Sequence, residues 1–331
     1  MQYREIGKTG IRASVVGFGA WAMGGGGFWD GVDDDEEAVS AVRFALDHGI
    51  NLIDTAPGYG EGKSERLVGE AISGYDRSKL VISTKCGIVW WGDEGGYMHT
   101  MNGLRYYRNL EPKSIRYEVE QSLKRLGVEY IDVLFTHWPS LESFPTPIQK
   151  TMECLLELKE KGWIKAIGAS NVSPDQIKEY MDAGQLDATQ PPYSMLNRGI
   201  EGEYVGYCMQ NGISIFAYSP LEQGLLTGKI TMDYQPKSGT YRADYLSWYQ
   251  AQNRKQVIDM LSSWHDLTQK YEASIAQLVI AWTVAQPGIT HTLCGARKRK
   301  HVEENARGGS LSLAQDDLAR MRRDVERLHL A

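Results

Sequence analysis

Three short apolar runs, Ile131-Asp-Val-Leu-Phe-Thr-His137, Ile164-Lys-Ala-Ile-Gly-Ala-Ser170 and Leu186-Asp-Ala-Thr-Gln190, are separated by two stretches of helical periodicity, Pro147–Lys161 and Pro174–Asp182. The runs are too short for helices and carry apolar residues at consecutive positions, so they read as strands buried on both faces. Ser173-Pro174 marks a helix start, and Gly162 and Gly184 stand where a helix must stop before the next strand. Strand, helix, strand, helix, strand is the grammar of a parallel sheet with crossover helices.

The same grammar extends in both directions. Further strands are expected at Ser14–Gly19, Asn51–Asp54, Leu80–Thr84, Ile213–Tyr218 and His291–Gly295. Between them lie helical segments at Asp35–His48, Ser64–Ser73, Pro112–Leu126, Glu203–Gln210 and Ser274–Ala285. Eight strand units in 331 residues fit a closed (β/α)8 barrel, a TIM barrel, better than two open sheets. Met1–Arg12, with a turn at Lys8-Thr9-Gly10, is expected to form a hairpin across the barrel floor. Arg254–Tyr271 and Leu313–Leu328 read as two extra helices, and no linker-like composition divides residues 1–331, so one domain is expected.

Composition narrows the function. The net charge of −6 argues against a general nucleic-acid binder, whose affinity is carried by cationic surface. No apolar run approaches the roughly 18 to 20 residues of a membrane helix, and the opening MQYREIGKTG is too polar for a signal peptide. Cys86, Cys154, Cys208 and Cys294 are far apart in sequence, suggesting neither a zinc site nor a disulfide framework, so a cytoplasmic setting is expected. No metal is expected, the partner is a small molecule, and a homo-oligomer stays open.

Three loops, Ala20–Asp34, Gly87–Glu111 and Ser219–Ser247, exceed simple connectors and follow strand C-termini, the face where barrel enzymes keep their sites. Trp21, Phe28, Trp29, Trp90, Trp91 and Trp138 are expected as pocket walls there. Asp54 ends the second strand, Lys85 follows the third and His137 ends the fourth, so adjacent strands aim all three at one mouth; Tyr59 lies just beyond Asp54. Singly, each has an ordinary reading as a turn cap, a rim charge or a scaffold histidine. Together they suit carbonyl reduction. A phenol holds its proton at neutral pH, an ammonium brings that proton within reach of transfer, a carboxylate holds the ammonium, and an imidazole donates to the carbonyl oxygen. The hydride must come from a cofactor.

The stretches Asn51-Leu-Ile-Asp-Thr-Ala-Pro-Gly-Tyr-Gly60, Ser83-Thr-Lys-Cys86, Thr136-His-Trp-Pro139, Ile167-Gly-Ala-Ser-Asn-Val172 and Tyr218-Ser-Pro-Leu221 resemble the aldo-keto reductase superfamily, in the family's order from Gly7 to Asn305. The chain looks closest to bacterial members acting on sugars or small aldehydes. The resemblance implies a catalytic tetrad of Asp54, Tyr59, Lys85 and His137, and NADPH/NADP+ as cofactor. It places Ser170, Asn171 and Gln190 on the nicotinamide carboxamide and Tyr218 against its ring. Ser219, Leu221, Gln223, Gly224 and Leu226, with Lys229 nearby, are implied along the pyrophosphate, and Glu304 and Asn305 on the adenine side.

Gly295-Ala-Arg-Lys-Arg-Lys-His301 sets cations at a helix start, unfavourable unless an anion offsets them; a 2′-phosphate is that anion, read by Arg297, with His301 replacing the family's usual Gln or Arg. Gly17-Phe-Gly-Ala-Trp-Ala22 also fits a Rossmann fingerprint, but a long loop and the acidic run Asp33–Glu37 follow it, so that match is accidental. Two alternatives remain open: a Schiff-base aldolase acting through Lys85, and a cofactor-binding regulatory subunit with slow turnover. The expected substrate is a sugar, a polyol-derived carbonyl or another small polar carbonyl, because flat aromatic faces pack against sugar rings.

Overall fold

The computed structural model describes residues 1–25, 34–101 and 103–330. Phe28 and Trp29 lie outside them. The strands are β1 (Tyr3–Glu5), β2 (Arg12–Ser14), β3 (Val16–Gly19), β4 (Leu52–Asp54), β5 (Val81–Cys86), β6 (Ile88–Val89), β7 (Gly96–Met101), β8 (Leu104–Arg108), β9 (Ile131–Thr136), β10 (Ile164–Ser170), β11 (Ala188–Gln190), β12 (Ser214–Tyr218) and β13 (Ile289–Gly295). Eight of them, β3-β4-β5-β9-β10-β11-β12-β13, close into a parallel barrel in chain order. Each barrel strand overlaps a run read from the sequence.

The helices are α1 (Asp35–Asp47), α2 (Lys63–Ile72), α3 (Pro112–Leu126), α4 (Ile148–Glu160), α5 (Pro174–Ala183), α6 (Glu203–Asn211), α7 (Tyr241–Asp244), α8 (Ala251–Ser262), α9 (His265–Lys270), α10 (Ile275–Val284), α11 (Arg299–Gly308) and α12 (Gln315–Glu326). Ser173 caps α5 in a reciprocal box with Gln176, and Pro112 opens α3. The single helix expected over Arg254–Tyr271 is instead two, α8 and α9. The chain breaks at Ser263 and Trp264; Trp264 is fully buried, and its indole N–H donates to Asp324 of α12 at 3.0 Å.

Alternation along the strands decides what fills the barrel and what faces its mouth. Leu52, Val81, Val133, Phe135, Ala166, Ala188, Phe216 and Leu293 form an interior cluster. The antiparallel β1–β2 hairpin contributes Ile6 and Ala13 to that cluster, which closes the floor. Gly168 is where the interior is tightest: a Cβ there would sit 2.3 Å from the Phe135 ring. Further along their strands in the same inward register, Leu52, Ala166, Ala188 and Phe216 give way to Asp54, Ser170, Gln190 and Tyr218, so polar groups collect at the open end.

The loop after β5, expected from its length to serve the site, has secondary structure of its own that the sequence reading does not include. It holds a three-stranded antiparallel sheet in the order β6-β8-β7. The base of this sheet is fixed by Glu118, buried on α3, whose two carboxylate oxygens accept the Gly87 N–H at 3.0 and 2.9 Å.

Candidate active site

Lys85 and Asp54 form a buried ion pair, Nζ to Oδ1 2.8 Å, and Lys85 also donates to the Thr55 carbonyl at 2.9 Å. The Lys85 nitrogen lies 5.0 Å from the centre of the Tyr59 ring. His137 presents its ring edge-on to Tyr59, with centroids 5.7 Å apart. The structure thus brings together all four residues picked from three strand ends and a loop. The loop bearing Tyr59 is pressed against the turn after β3: a Cβ on Gly24 would lie 2.5 Å from the Tyr59 carbonyl carbon, and one on Gly60 only 2.1 Å from the Gly24 oxygen. Only glycine permits that approach.

Burial raises the Tyr59 phenol above its ordinary value, against the opposing pull of Lys85. Burial alone would lower Lys85, but Asp54 and then Tyr59 outweigh it, and the ammonium is held more firmly than in water. Burial, followed by the charges of Lys85 and Arg108, pushes His137 well below the ordinary imidazole range. The site at neutral pH is therefore a neutral phenol, an ammonium and a neutral imidazole. Nδ1 of His137 is buried without a hydrogen-bond partner among the described residues.

Asp54, Tyr59 and His137 line a cavity of about 650 Å³, with Lys85 buried behind them. Trp21 and Trp138 line it. Trp90 and Trp91 do not. They pack edge-on at 4.6 Å, and Trp91 continues onto Tyr117 of α3 at 5.4 Å, so both serve the outside of the loop sheet. The wall is made instead by Ile88, Met98, His99, Met101 and Tyr106 from β6, β7 and β8, and Tyr241 and Tyr245 line the same cavity. A sequence signal for this sheet existed: Asn102-Gly103, a favoured two-residue hairpin turn, stands between the β-prone runs Tyr97–Met101 and Leu104–Arg108.

The dinucleotide residues implied by resemblance mostly line the same cavity. The Tyr218 hydroxyl donates to Asn171 Oδ1 at 2.8 Å, the Asn171 amide donates to the His137 carbonyl at 2.9 Å, and the Ser170 hydroxyl donates to the Gln190 carbonyl at 2.8 Å. Ser219, Gln223 and Gly224 have positive φ, folding a tight turn whose chain runs along the cavity with Leu221. Leu226 is the exception: it is fully buried in the core and contributes no side chain to the cavity. Lys229 pairs with Glu304 at 2.6 Å, and Ser274 donates to the same carboxylate at 2.7 Å; both Lys229 and Glu304, and Asn305 beside them, line the far end. The basic run divides. Gly295, Arg297 and His301 line the cavity, whereas Lys298 faces Glu37 at 3.6 Å and Arg299 donates to Ser40 at 2.6 Å.

The aldo/keto reductase family model matches residues 15–325. The chain belongs to the aldo/keto reductase family. It is 45% identical over 328 residues to a protein of Escherichia coli K12 named NADH-specific methylglyoxal reductase, covering 99% of both chains. A glycerol dehydrogenase of Gluconobacter oxydans has a similar structure, with a TM-score of 0.85, 33% identity, and coverage of 98% of this chain and 94% of that one. An aldo-keto reductase of Klebsiella pneumoniae, solved in complex with NADPH, matches at a TM-score of 0.72 and 25% identity over 98% of this chain and 95% of that one. This aldo/keto reductase is therefore an oxidoreductase built on a TIM barrel. Among its described residues no helix is long and apolar enough to cross a membrane.

Proposed function

We propose that the protein reduces small polar carbonyl compounds, of the size of 2-oxoaldehydes, hydroxyaldehydes and short sugars, to alcohols. Tyr59 is the proton donor. The carrying observation is the buried Asp54–Lys85 pair beneath a neutral phenol in a deep cavity. When bound, a reduced nicotinamide dinucleotide supplies the hydride to the carbonyl carbon. The Tyr59 proton passes to the carbonyl oxygen, the phenolate left behind faces the Lys85 ammonium, and neutral His137 donates a hydrogen bond where negative charge grows. Asp54 keeps Lys85 charged. A charged, buried Lys85 with two of its hydrogens committed is a poor Schiff-base nucleophile, which counts against the aldolase reading.

The donor set fits a nicotinamide dinucleotide. A cluster of amide and hydroxyl groups at Ser170, Asn171 and Gln190 suits a carboxamide, the left-handed turn at Ser219–Gly224 lets backbone approach a pyrophosphate, and Glu304 and Asn305 close the far end. Two observations bear on which dinucleotide. Arg297 and His301 on the wall support a 2′-phosphate and hence NADPH; the name of the Escherichia coli relative supports NADH. The substrate class is supported by that relative and the glycerol dehydrogenase, both named for three-carbon polar compounds, and by the Trp and Tyr faces of the cavity. Four buried free cysteines suit a reducing compartment such as the cytoplasm, and the substrate class suits a place in carbohydrate metabolism.

The test is a survey of kcat/KM over methylglyoxal, glyceraldehyde, short aldoses and long-chain aldehydes, each with NADH and NADPH. Polar three- to six-carbon substrates are expected to lead. Fatty aldehydes ahead of every polar compound by tenfold would refute the substrate class, and no turnover with either dinucleotide would refute the reaction.

A further inference from the structure

Asp54 does more than meet Lys85. Its Oδ1 takes the ammonium, while its Oδ2 accepts two further hydrogen bonds, from the Ser83 hydroxyl at 2.8 Å and from the side-chain amide of Gln190 at 2.9 Å. All four side chains are buried, with exposures of 4% or less. Ser83 belongs to the same inward register as Lys85, two residues below it on β5, and Gln190 ends β11, across the barrel. The carboxylate is thus held from two directions on the oxygen that Lys85 does not use.

A buried ion pair is favourable only where the lone pairs it leaves over are satisfied. With Oδ2 anchored twice, Asp54 cannot rotate to share both oxygens with Lys85, and part of its negative charge is spread into neutral donors. That matters to the neighbour. The ionisable groups facing Tyr59 are Lys85 and Asp54 from strand ends, His137 beyond β9, and Tyr218 at the end of β12; burial keeps the last two neutral. Lys85 makes the Tyr59 proton easier to lose and Asp54 makes it harder, so the balance between those two charges decides how good an acid the phenol is.

We propose that Ser83 and Gln190 are positioning residues for the proton donor: their paired hydrogen bonds lock the Asp54 carboxylate beneath Lys85 and thereby set the proton affinity of Tyr59. The proposal rests on the reading of Tyr59 as the acid. Removing either donor leaves more bare charge on Asp54, and the phenol then holds its proton to higher pH.

The test uses the full-length protein with Ser83→Ala and, independently, Gln190→Met. Three quantities are read: the pH profile of kcat for the best carbonyl substrate, the dinucleotide Kd by quenching of tryptophan fluorescence, and phenolate absorbance at 295 nm of each variant against the same variant carrying Tyr59→Phe. For Ser83→Ala the alkaline limb is expected to rise by about half a pH unit or more, a fraction of the effect of a charge-assisted hydrogen bond. The Tyr59 phenolate signal at a given alkaline pH should fall, and the Kd should stay within about twofold, since Ser83 does not line the cavity. Gln190→Met should move the limb the same way and weaken the dinucleotide as well. A lower kcat with an unshifted limb and an unshifted phenolate signal would show a merely structural role and overturn the proposal. Full turnover in Tyr59→Phe would instead overturn the reading of the acid, and the absorbance arm would still decide whether Ser83 tunes that phenol. Should Ser83→Ala fail to fold, Gln190→Met carries the same readings.

Discussion

Glu222 is a carboxylate the chain has buried at a cost, and replacing it with glutamine should change how stability depends on pH. It is 3% exposed in the turn after β12, where the Ser194 hydroxyl and the Trp248 indole N–H, the latter at 3.0 Å, donate to it. Burial raises its pKa from 4.5 to about 7, and the two hydrogen bonds only partly oppose that. A carboxyl held above its unfolded value contributes stability that is fully present below about pH 4.5 and lost as pH rises through about 7. At about 1.4 kcal/mol per pH unit, the loss between pH 5 and pH 8 comes to about 2 to 3 kcal/mol. Glu222→Gln removes that loss. Ser194 Oγ already accepts the N–H groups of Leu196 and Asn197, so the new amide meets a crowded acceptor and costs about 1 kcal/mol, nearly equally at both pH values. That penalty cancels when variant and wild type are compared across pH. With an unfolding entropy of about 0.7 kcal/mol/K for this length, the difference in Tm should swing by about 3 to 4 °C in favour of the variant between pH 5 and pH 8. Differential scanning calorimetry of both proteins at the two pH values reads it directly. A Tm gap that stays constant within about 1 °C would show that Glu222 is not held protonated by burial.

The site makes further demands. Tyr59→Phe should lower kcat for carbonyl reduction by roughly two to four decades with little change in dinucleotide Kd, measured by steady-state rates and fluorescence titration. Arg297→Ala should weaken NADPH binding far more than NADH binding; an equal loss for both would remove Arg297 from any role in reading a 2′-phosphate. Trp21→Ala should raise KM for short sugars several-fold by about the loss of one aromatic face, whereas Trp91→Ala, packed on Tyr117 outside the cavity, should leave KM unchanged. Gly24→Ala forces a Cβ against the Tyr59 backbone, so kcat should fall by at least about tenfold, as for a misplaced catalytic group, although no ionisable group is removed.

The barrel was legible because its signals are local. Runs such as Ile131–Thr136 cannot be helices, and Gly162 and Ser173-Pro174 punctuate the chain at fixed offsets from them. Asp54, Lys85 and His137 were legible for the same reason, each being a polar residue at or next to the end of an apolar strand. What failed was anything depending on where a long loop folds back. Trp90 and Trp91 looked like pocket walls by type and position, yet the turn after Val89 carries them to α3, and the smaller Ile88, Met98 and His99 take the wall. Leu226 failed because a position along a cofactor path does not say which way its side chain points, and this one points into the core. The double anchoring of Asp54 had no local signature either, since Ser83 and Gln190 are brought together only by closure of the barrel.

The sheet of β6, β7 and β8 is tied to the barrel where the Asn109 N–H bonds the Gly87 carbonyl at 3.2 Å and Glu118 holds the Gly87 N–H, and again where Arg108 donates to the Pro139 carbonyl at 3.2 Å and Tyr106 to Glu61. Asp54, Tyr59, Lys85 and His137 all lie outside residues 88–108, which carry five of the cavity-wall residues, and Arg108 of that segment bears on the tetrad through its charge on His137. With Arg108 kept, the segment is therefore a graftable cassette. Exchanging it for a hairpin of another shape, or randomising only Ile88, Met98, His99, Met101 and Tyr106, would search new substrates in one contiguous stretch of gene, with the chemistry left standing as a fixed chassis.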